Sequence, residues 1–432
     1  MTTARDRDDK QHQRCSFCGK GREQVHKLVA GPGVTICNDC IILCEEVLAQ
    51  EEIESSNKSW NKNGFPAFPT PQEIYDKLSE YVIGQDQAKK VLAVAAYNHY
   101  KRIGQRPKQG QIEIDKSNIL ILGATGSGKS LLVKTLGRIL DVPVAICDAT
   151  SITSAGYVGD DVENVLLRLL QLTDFDIARA EKGIVFLDEL GKTGRKSENP
   201  SITRDVSGEG TQQALLKMVE GTVAHVPPQG GRKHPHQEMI AMKTDQILFI
   251  GGDSWDGLGQ IIEARLNKKQ IGFSSSSEKS KTKSKDIPQE NLFKSVKPDD
   301  LIKFGMLPEL IGRFPILVAT DPLNSEDLLK ILTEPKNALI KQFQQMFAVG
   351  NVELEFTEDA LNAIVEKTID LKTGARGLRS IVEETLLPIM FDTPSQPDVT
   401  RVVIDEDTVN NQAPAQKFLA EPKPIPPPKE AA

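Results

Sequence analysis

The sequence predicts an α/β protein built on a parallel sheet, with a small cysteine-rich segment ahead of it and a small, mostly helical domain behind it. Three observations lead there. The apolar runs Ile119-Leu120-Ile121-Leu122, Gly183-Ile184-Val185-Phe186-Leu187 and Ile247-Leu248-Phe249-Ile250 are short, continuous and far enough apart for helices between them, as in a doubly wound sheet buried on both faces. Directly after the first run, residues 123–130 read Gly-Ala-Thr-Gly-Ser-Gly-Lys-Ser, and Leu131, Leu132 and Leu136 give the next stretch an apolar helical face. Five of the six cysteines (Cys15, Cys18, Cys37, Cys40 and Cys44) fall within thirty residues, and Cys147 stands alone.

Length and charge bound what such a chain can be. Its 432 residues exceed one ordinary core, and roughly two to four domains follow from length alone. The net charge of −7 argues against a globally basic surface that coats nucleic acid, so no nucleic-acid partner is expected. No uninterrupted apolar run approaches the ~20 residues of a membrane helix, and residues 1–14 are polar where a signal peptide would be apolar. A cytoplasmic location and no membrane partner are therefore expected. In a reducing compartment, clustered cysteines point to metal sooner than to disulfides.

From the N-terminus, Cys15-x₂-Cys18 and Cys37-x₂-Cys40 match the two knuckles of a tetrahedral Zn²⁺ site, each knuckle supplying two thiolates. Residues 1–50 thus read as a zinc-binding domain. Disulfide pairing or redox chemistry is the alternative, disfavoured because so small a segment would lack a core without the metal. Cys44 could compete as a ligand or serve as a buried thiol. Residues 51–70 turn polar and then Pro/Phe-rich, as a linker does.

Residues 71–320 read as the P-loop domain. Glycines in 123–130 let backbone N–H groups turn toward phosphate oxygens, Lys129 can neutralise the β/γ-phosphates, and Ser130 can ligate Mg²⁺. The candidate nucleotide set is Gly123, Ala124, Thr125, Gly126, Ser127, Gly128, Lys129, Ser130 and Leu131. A chance glycine-rich turn is the alternative, weakened by the strand before it and the helix after it. The second apolar run ends in Asp188-Glu189, where an Asp can hold the Mg²⁺ shell and a Glu can polarise the attacking water; a surface acid pair is the plainer reading. The developing phosphoryl charge is commonly met by an arginine, for which Arg313 and Arg376 are candidates, though either could be a surface arginine. Residues 274–285 are serine- and lysine-rich and read as a flexible loop. Residues 321–410 place Leu328, Leu329, Leu332 and Leu339 near helical spacing, the basis for a small helical domain, and residues 411–432 are proline-rich, as a disordered tail is.

Over residues 15–404 the sequence resembles the ClpX family of AAA+ unfoldases, which feed the ClpP peptidase. Tyr81-Val82-Ile83-Gly84-Gln85 is similar to the family's adenine-packing segment, so the resemblance adds Val82 and Ile83 to the nucleotide set. Gly156-Tyr157-Val158-Gly159 resembles its substrate-gripping pore loop, residues 201–209 with Arg204 its second pore loop, and Arg232-Lys233-His234 its charged pore-entrance loop. Alone, Tyr157 would pass for an ordinary packed tyrosine and the charged triplet for a solvated turn. Ile271-Gly272-Phe273 matches the family's peptidase-docking tripeptide. The resemblance further implies an AAA+ large domain, a homohexamer, Arg313 as a finger reaching a neighbour's nucleotide, Arg376 as a sensor, and protein substrates and adaptors as partners. Four places depart from the family pattern: Ala124 for proline, Ser130 for threonine, Gly191 for an acid, and a polar Gly251-Gly252-Asp253-Ser254-Trp255 for a small apolar stretch.

The leading functional reading is an ATP-hydrolysing unfoldase that threads polypeptide through a hexamer pore to a ClpP-type peptidase. A zinc-ribbon ATPase that remodels nucleic-acid complexes is the second, disfavoured by the net charge of −7 and by the lack of an aromatic-plus-basic strand face. A non-hydrolysing scaffold would lack Asp188 or Glu189, and both are present.

Overall fold

The computed structural model describes residues 14–44, 68–104, 112, 114–153, 160–194, 208–228, 239–268 and 292–419. The chain forms two units, residues 1–68 and 69–432.

In the first unit, β1 (Leu28–Gly31) and β2 (Val34–Cys37) pair antiparallel, with Leu28 opposite Cys37. Gly33, at φ +77°, makes the tight turn between them possible. Residues 38–44 are helical. The buried cluster is Cys15, Cys37 and Cys40, with only Val25, Leu28 and Ile36 packed against it. So few apolar side chains cannot offset the conformational entropy of ordering the segment, and its stability has to come from its sulfurs.

The second unit opens with α1 (Pro71–Ser79), started by a Thr70/Glu73 capping box and a proline in the first turn, and α2 (Asp86–Gly104). Its main sheet has five strands: β3 (Ile119–Leu122), β4 (Val144–Asp148), β5 (Ile184–Asp188), β8 (Leu248–Asp253) and β9 (Ile316–Ala319). All pair in parallel, in the spatial order β9-β3-β8-β5-β4. The three apolar runs of the sequence are the three inner strands. The two outer strands, Val144–Asp148 and Ile316–Ala319, escape a search for apolar runs because strands at a sheet's edges are only partly buried. Around the sheet lie α3 (Lys129–Leu140), α4 (Asn164–Gln171), α5 (Glu209–Glu220), α6 (Leu258–Lys268), α7 (Pro298–Phe304) and α8 (Pro308–Gly312), with a separate antiparallel pair, β6 (Val223–Val226) and β7 (Ile240–Lys243).

Register aligns the strand ends that matter. Leu122 lies opposite Asp253, and Asp148 opposite Asp188, so the segments after β3, β8 and β5 emerge side by side at the sheet's C-terminal edge, where open α/β sheets hold ligands. The glycines of β8 make this packing possible: a Cβ on Gly252 would stand 2.6 Å from the Phe186 ring, and one on Gly251 2.7 Å from Leu190.

Beyond β9 come α9 (Ser325–Thr333), α10 (Leu339–Val349), β10 (Glu353–Phe356), α11 (Glu358–Asp370), α12 (Ala375–Asp392), β11 (Val399–Ile404) and β12 (Gln416–Leu419). Leu328, Leu332, Phe343, Ile364, Val382 and Val402 are among the buried side chains of one shared core. This part is helical as expected, but it also carries the three-stranded sheet β10-β11-β12. Strand β12 lies inside the segment 411–432 expected as a disordered tail: it pairs antiparallel with β11, so ordered chain continues to Leu419 and the proline-rich stretch starts after it.

Candidate functional site

The loop after β3 is shaped by glycine. Gly126 (φ +80°) and Gly128 (φ +96°) occupy left-handed backbone conformations that side chains disfavour, and Gly128 caps α3. The first turn of α3 therefore presents its free N–H groups and the positive end of its dipole to the cleft. Lys129 is buried in that turn, its Nζ donating to the carbonyls of Gly123 (2.7 Å) and Ala124 (2.9 Å). Burial pushes its pKa down, and the nearby Asp188 and Asp253 pull it back up. Ser127 turns its hydroxyl to Thr320, 2.8 Å away just past β9, so the loop is tied to the far edge of the sheet. Gly123 is indispensable here, since a Cβ on it would lie 1.7 Å from Thr320 Oγ1.

The acids arrive from the neighbouring strand ends. Ser130 Oγ donates to Asp188 Oδ2 at 3.5 Å, and together these oxygens could hold a Mg²⁺ ion. Glu189 follows at φ +58°, an unfavourable conformation for a side-chain-bearing residue and one that concentrates at functional sites. Its N–H donates to Asp188 Oδ1 (3.1 Å), and its carboxylate pairs with Lys192 Nζ (2.6 Å), which raises the Lys192 pKa. That pair is half-exposed and worth at most about 1 kcal/mol, so Glu189 can exchange it for a water cheaply. Asp253 is only 5% exposed, its pKa raised by burial against hydrogen bonds from Ser254 that lower it.

The small domain closes the cleft. Thr125, Gly126, Gly128, Lys129, Ser130 and Leu131 line it together with Asp188, Glu189, Lys192, Asp253, Asp256 and Arg376. Arg376 stands in the first turn of α12. It is brought there by a glycine-to-glycine contact: a Cβ on Gly126 would lie 2.6 Å from the Thr373 carbonyl oxygen and 3.0 Å from Gly374 Cα. Arg313, by contrast, caps the end of α8, half-exposed, and pairs with Glu220 at 2.7 Å; it does not line this cleft. Val82 and Ile83 are not among the lining residues either. Their segment is fastened at Gln85, which donates to the Asp321 carbonyl (2.8 Å) and accepts from the Asp321 N–H (2.7 Å), at the junction between the two domains. Sequence reasoning missed Lys192, Asp256 and Thr320, which belong to no motif and reach the site only through the turn of 189–192 and the ends of β8 and β9. Tyr157, Val158, Arg204, Arg232, Lys233, His234, Ile271, Gly272 and Phe273 lie outside the described residues.

In the first unit the four predicted thiols converge. The Sγ atoms of Cys15, Cys18, Cys37 and Cys40 all lie within 4.8 Å of one another, with Cys15–Cys40 at 3.8 Å and Cys18–Cys37 at 3.6 Å. Those separations are far too long for disulfides and match the ~3.8 Å edge of a sulfur tetrahedron drawn around a zinc ion with ~2.3 Å bonds. The N–H groups of Cys37 and Cys40 donate to the sulfurs of Cys15 (3.3 Å) and Cys37 (3.4 Å), as suits thiolate ligands. Cys44 is not part of the cluster.

Comparison with known proteins places these regions among known families. The model of the ClpX C4-type zinc finger matches residues 13–50, that of an AAA domain (Cdc48 subfamily) residues 114–317, and that of the C-terminal D2-small domain of ClpB residues 323–404. The ATP-dependent Clp protease ATP-binding subunit ClpX of Treponema denticola is 53% identical over 405 residues, covering 94% of this chain and 95% of that protein.

Proposed function

This chain belongs to the ClpX family, and from that premise we propose that it is an ATP-driven unfoldase that passes polypeptide through a homohexamer pore to a ClpP-type peptidase. It is an ATPase that uses ATP, Mg²⁺ and Zn²⁺ and is not itself a peptidase. The observation that carries the proposal is the convergence of Lys129, Ser130, Asp188, Glu189 and Arg376 on one cleft from two strand ends and a second domain.

Each residue has a role in that reaction. The loop N–H groups and Lys129 bind the phosphates. Ser130 and Asp188 would hold Mg²⁺, which when bound neutralises charge on the phosphate oxygens. Glu189 polarises a water and takes its proton as the water's oxygen bonds to the γ-phosphorus and the bond to ADP breaks. Arg376, mounted on the small domain, senses the terminal phosphate and couples its loss to motion between the domains. Arg313, which does not line its own cleft and whose guanidinium makes a half-exposed pair with Glu220, serves a neighbouring subunit's nucleotide. Tyr157, Val158, Arg204 and Arg232-Lys233-His234 grip substrate, and Ile271-Gly272-Phe273 docks the peptidase. The zinc domain receives adaptors or substrates, and the protein works in the cytoplasm. Among the described residues no helix is long and apolar enough to cross a membrane.

The test is degradation of a tagged, stably folded protein with ATP and a ClpP-type peptidase. Removing residues 271–273 is expected to abolish degradation and spare ATP turnover. Turnover stimulated by single-stranded DNA and indifferent to unfolded polypeptide would instead favour nucleic-acid remodelling.

A further inference from the structure

The turn that carries Glu189 rests on an unusual floor. Gly191 lies outside the left-handed region, so its backbone conformation does not call for glycine. What excludes a side chain is the neighbour: a Cβ on Gly191 would stand 2.5 Å from Asp253 Oδ2 and 2.9–3.0 Å from the Trp255 ring. Both floor residues are fixed. Asp253 Oδ1 accepts from the Ser254 N–H (2.6 Å) and hydroxyl (3.3 Å), which leaves Oδ2 turned to Gly191. Trp255 is fully buried, with its ring edge-on to Phe304. Trp255 (φ +55°) and Glu189 (φ +58°) are both left-handed side-chain-bearing residues, one on each side of this contact, an arrangement that persists only where the surroundings hold it.

We propose that Asp253 is a positioning residue for Glu189, and that Gly191 is the gap through which the Asp253–Trp255 segment seats the 189–192 turn. Asp253 does so from within the cleft, beside Lys129 and Lys192, so its carboxylate both supports the turn and shapes the field around the Glu189–Lys192 pair. The loop of 123–130 is held by the start of α3 and by the Ser127–Thr320 tie, neither of which involves the 189–192 turn. A displaced turn should therefore lower kcat and leave the ATP KM nearly alone.

The inference rests on Glu189 acting as the base in ATP hydrolysis, and the experiment separates the two. ATP turnover of the full chain is measured for the unsubstituted protein, Gly191→Ala, Asp253→Ala and the double variant. Gly191→Ala is expected to lower kcat by roughly 10- to 100-fold with KM within about 3-fold, the scale of an ångström-sized misplacement. Removing the Asp253 carboxylate vacates the nearest clash, so the double variant is expected to turn over at least about 3-fold faster than Gly191→Ala alone, a non-additivity that independent sites do not show. Gly191→Ala at full kcat, or a double variant no faster than the single, overturns the proposal. Should Gly191→Ala fail to fold, Asp253→Asn keeps the shape and removes the charge: about 5-fold lower kcat at unchanged KM and melting temperature supports the role, and unchanged kcat overturns it. An unsubstituted protein without ATP turnover would sink the underlying reading instead.

Discussion

The zinc cluster and the nucleotide cleft are built in opposite ways. The first takes all four ligands from one short stretch, two from each CxxC knuckle, and a hairpin with a two-residue turn sets them within 4.8 Å of one another. The second gathers Lys129, Asp188, Asp253 and Arg376 from positions scattered across both domains, joined by strand register and a glycine contact. A local site is specified by spacing and stabilised by its metal. A non-local one is specified by topology and stabilised by the core beneath it. The first should therefore fail all at once and the second by degrees.

The largest expected effect tests the local side of that contrast. Cys37→Ser removes a ligand from a segment with almost no other core, and structural zinc is worth on the order of 10 kcal/mol to such a segment. Zinc release and loss of the β1–β2 hairpin by NMR are expected, with ATP turnover held within about 2-fold of normal. A parallel collapse of ATP turnover would mean that the two regions are not independent. In the cleft, Glu189→Gln is expected to cut ATP turnover by about 10²- to 10⁴-fold while nucleotide still binds, as loss of a general base does. Calorimetry shows whether binding survives, and undiminished turnover would remove Glu189 from its role.

Smaller perturbations probe how the cleft is held. Gly374→Val forces atoms against the Thr125 carbonyl, which already lies 2.8 Å from where a Cβ would stand, and Gly374 sits at φ +59°. Arg376 should then be displaced, and about a 10-fold fall in turnover is expected with the zinc domain unaffected. Thr320→Val leaves the Ser127 hydroxyl buried without its partner, at a cost of about 1–3 kcal/mol, readable as a lower urea midpoint and a modest rise in the ATP KM. An unchanged midpoint would show that the tie to β9 is dispensable.

How much was legible follows from the same distinction. The inner strands announced themselves as apolar runs because both their faces are buried, and the edge strands 144–148 and 316–319 did not because theirs are only half covered. Strand β12 hid in a stretch rich in polar residues and proline, where pairing with β11 decides the outcome more than composition does. The interval between Lys129 and Asp188 in sequence says nothing of β8, which the fold inserts between their strands.

By itself the sequence picked out the four clustered thiols, the glycine-rich loop and the Asp188-Glu189 pair, because each is a short pattern whose chemistry depends on neighbours a few residues away. Only the tertiary structure decided that Thr320 anchors the loop, that Gly126 meets Gly374, that Arg376 lines the cleft while Arg313 does not, and that Gly191 and Asp253 share one space. Those relations join residues far apart in the chain, and close packing, which leaves no room for a misplaced methyl group, brings them into contact.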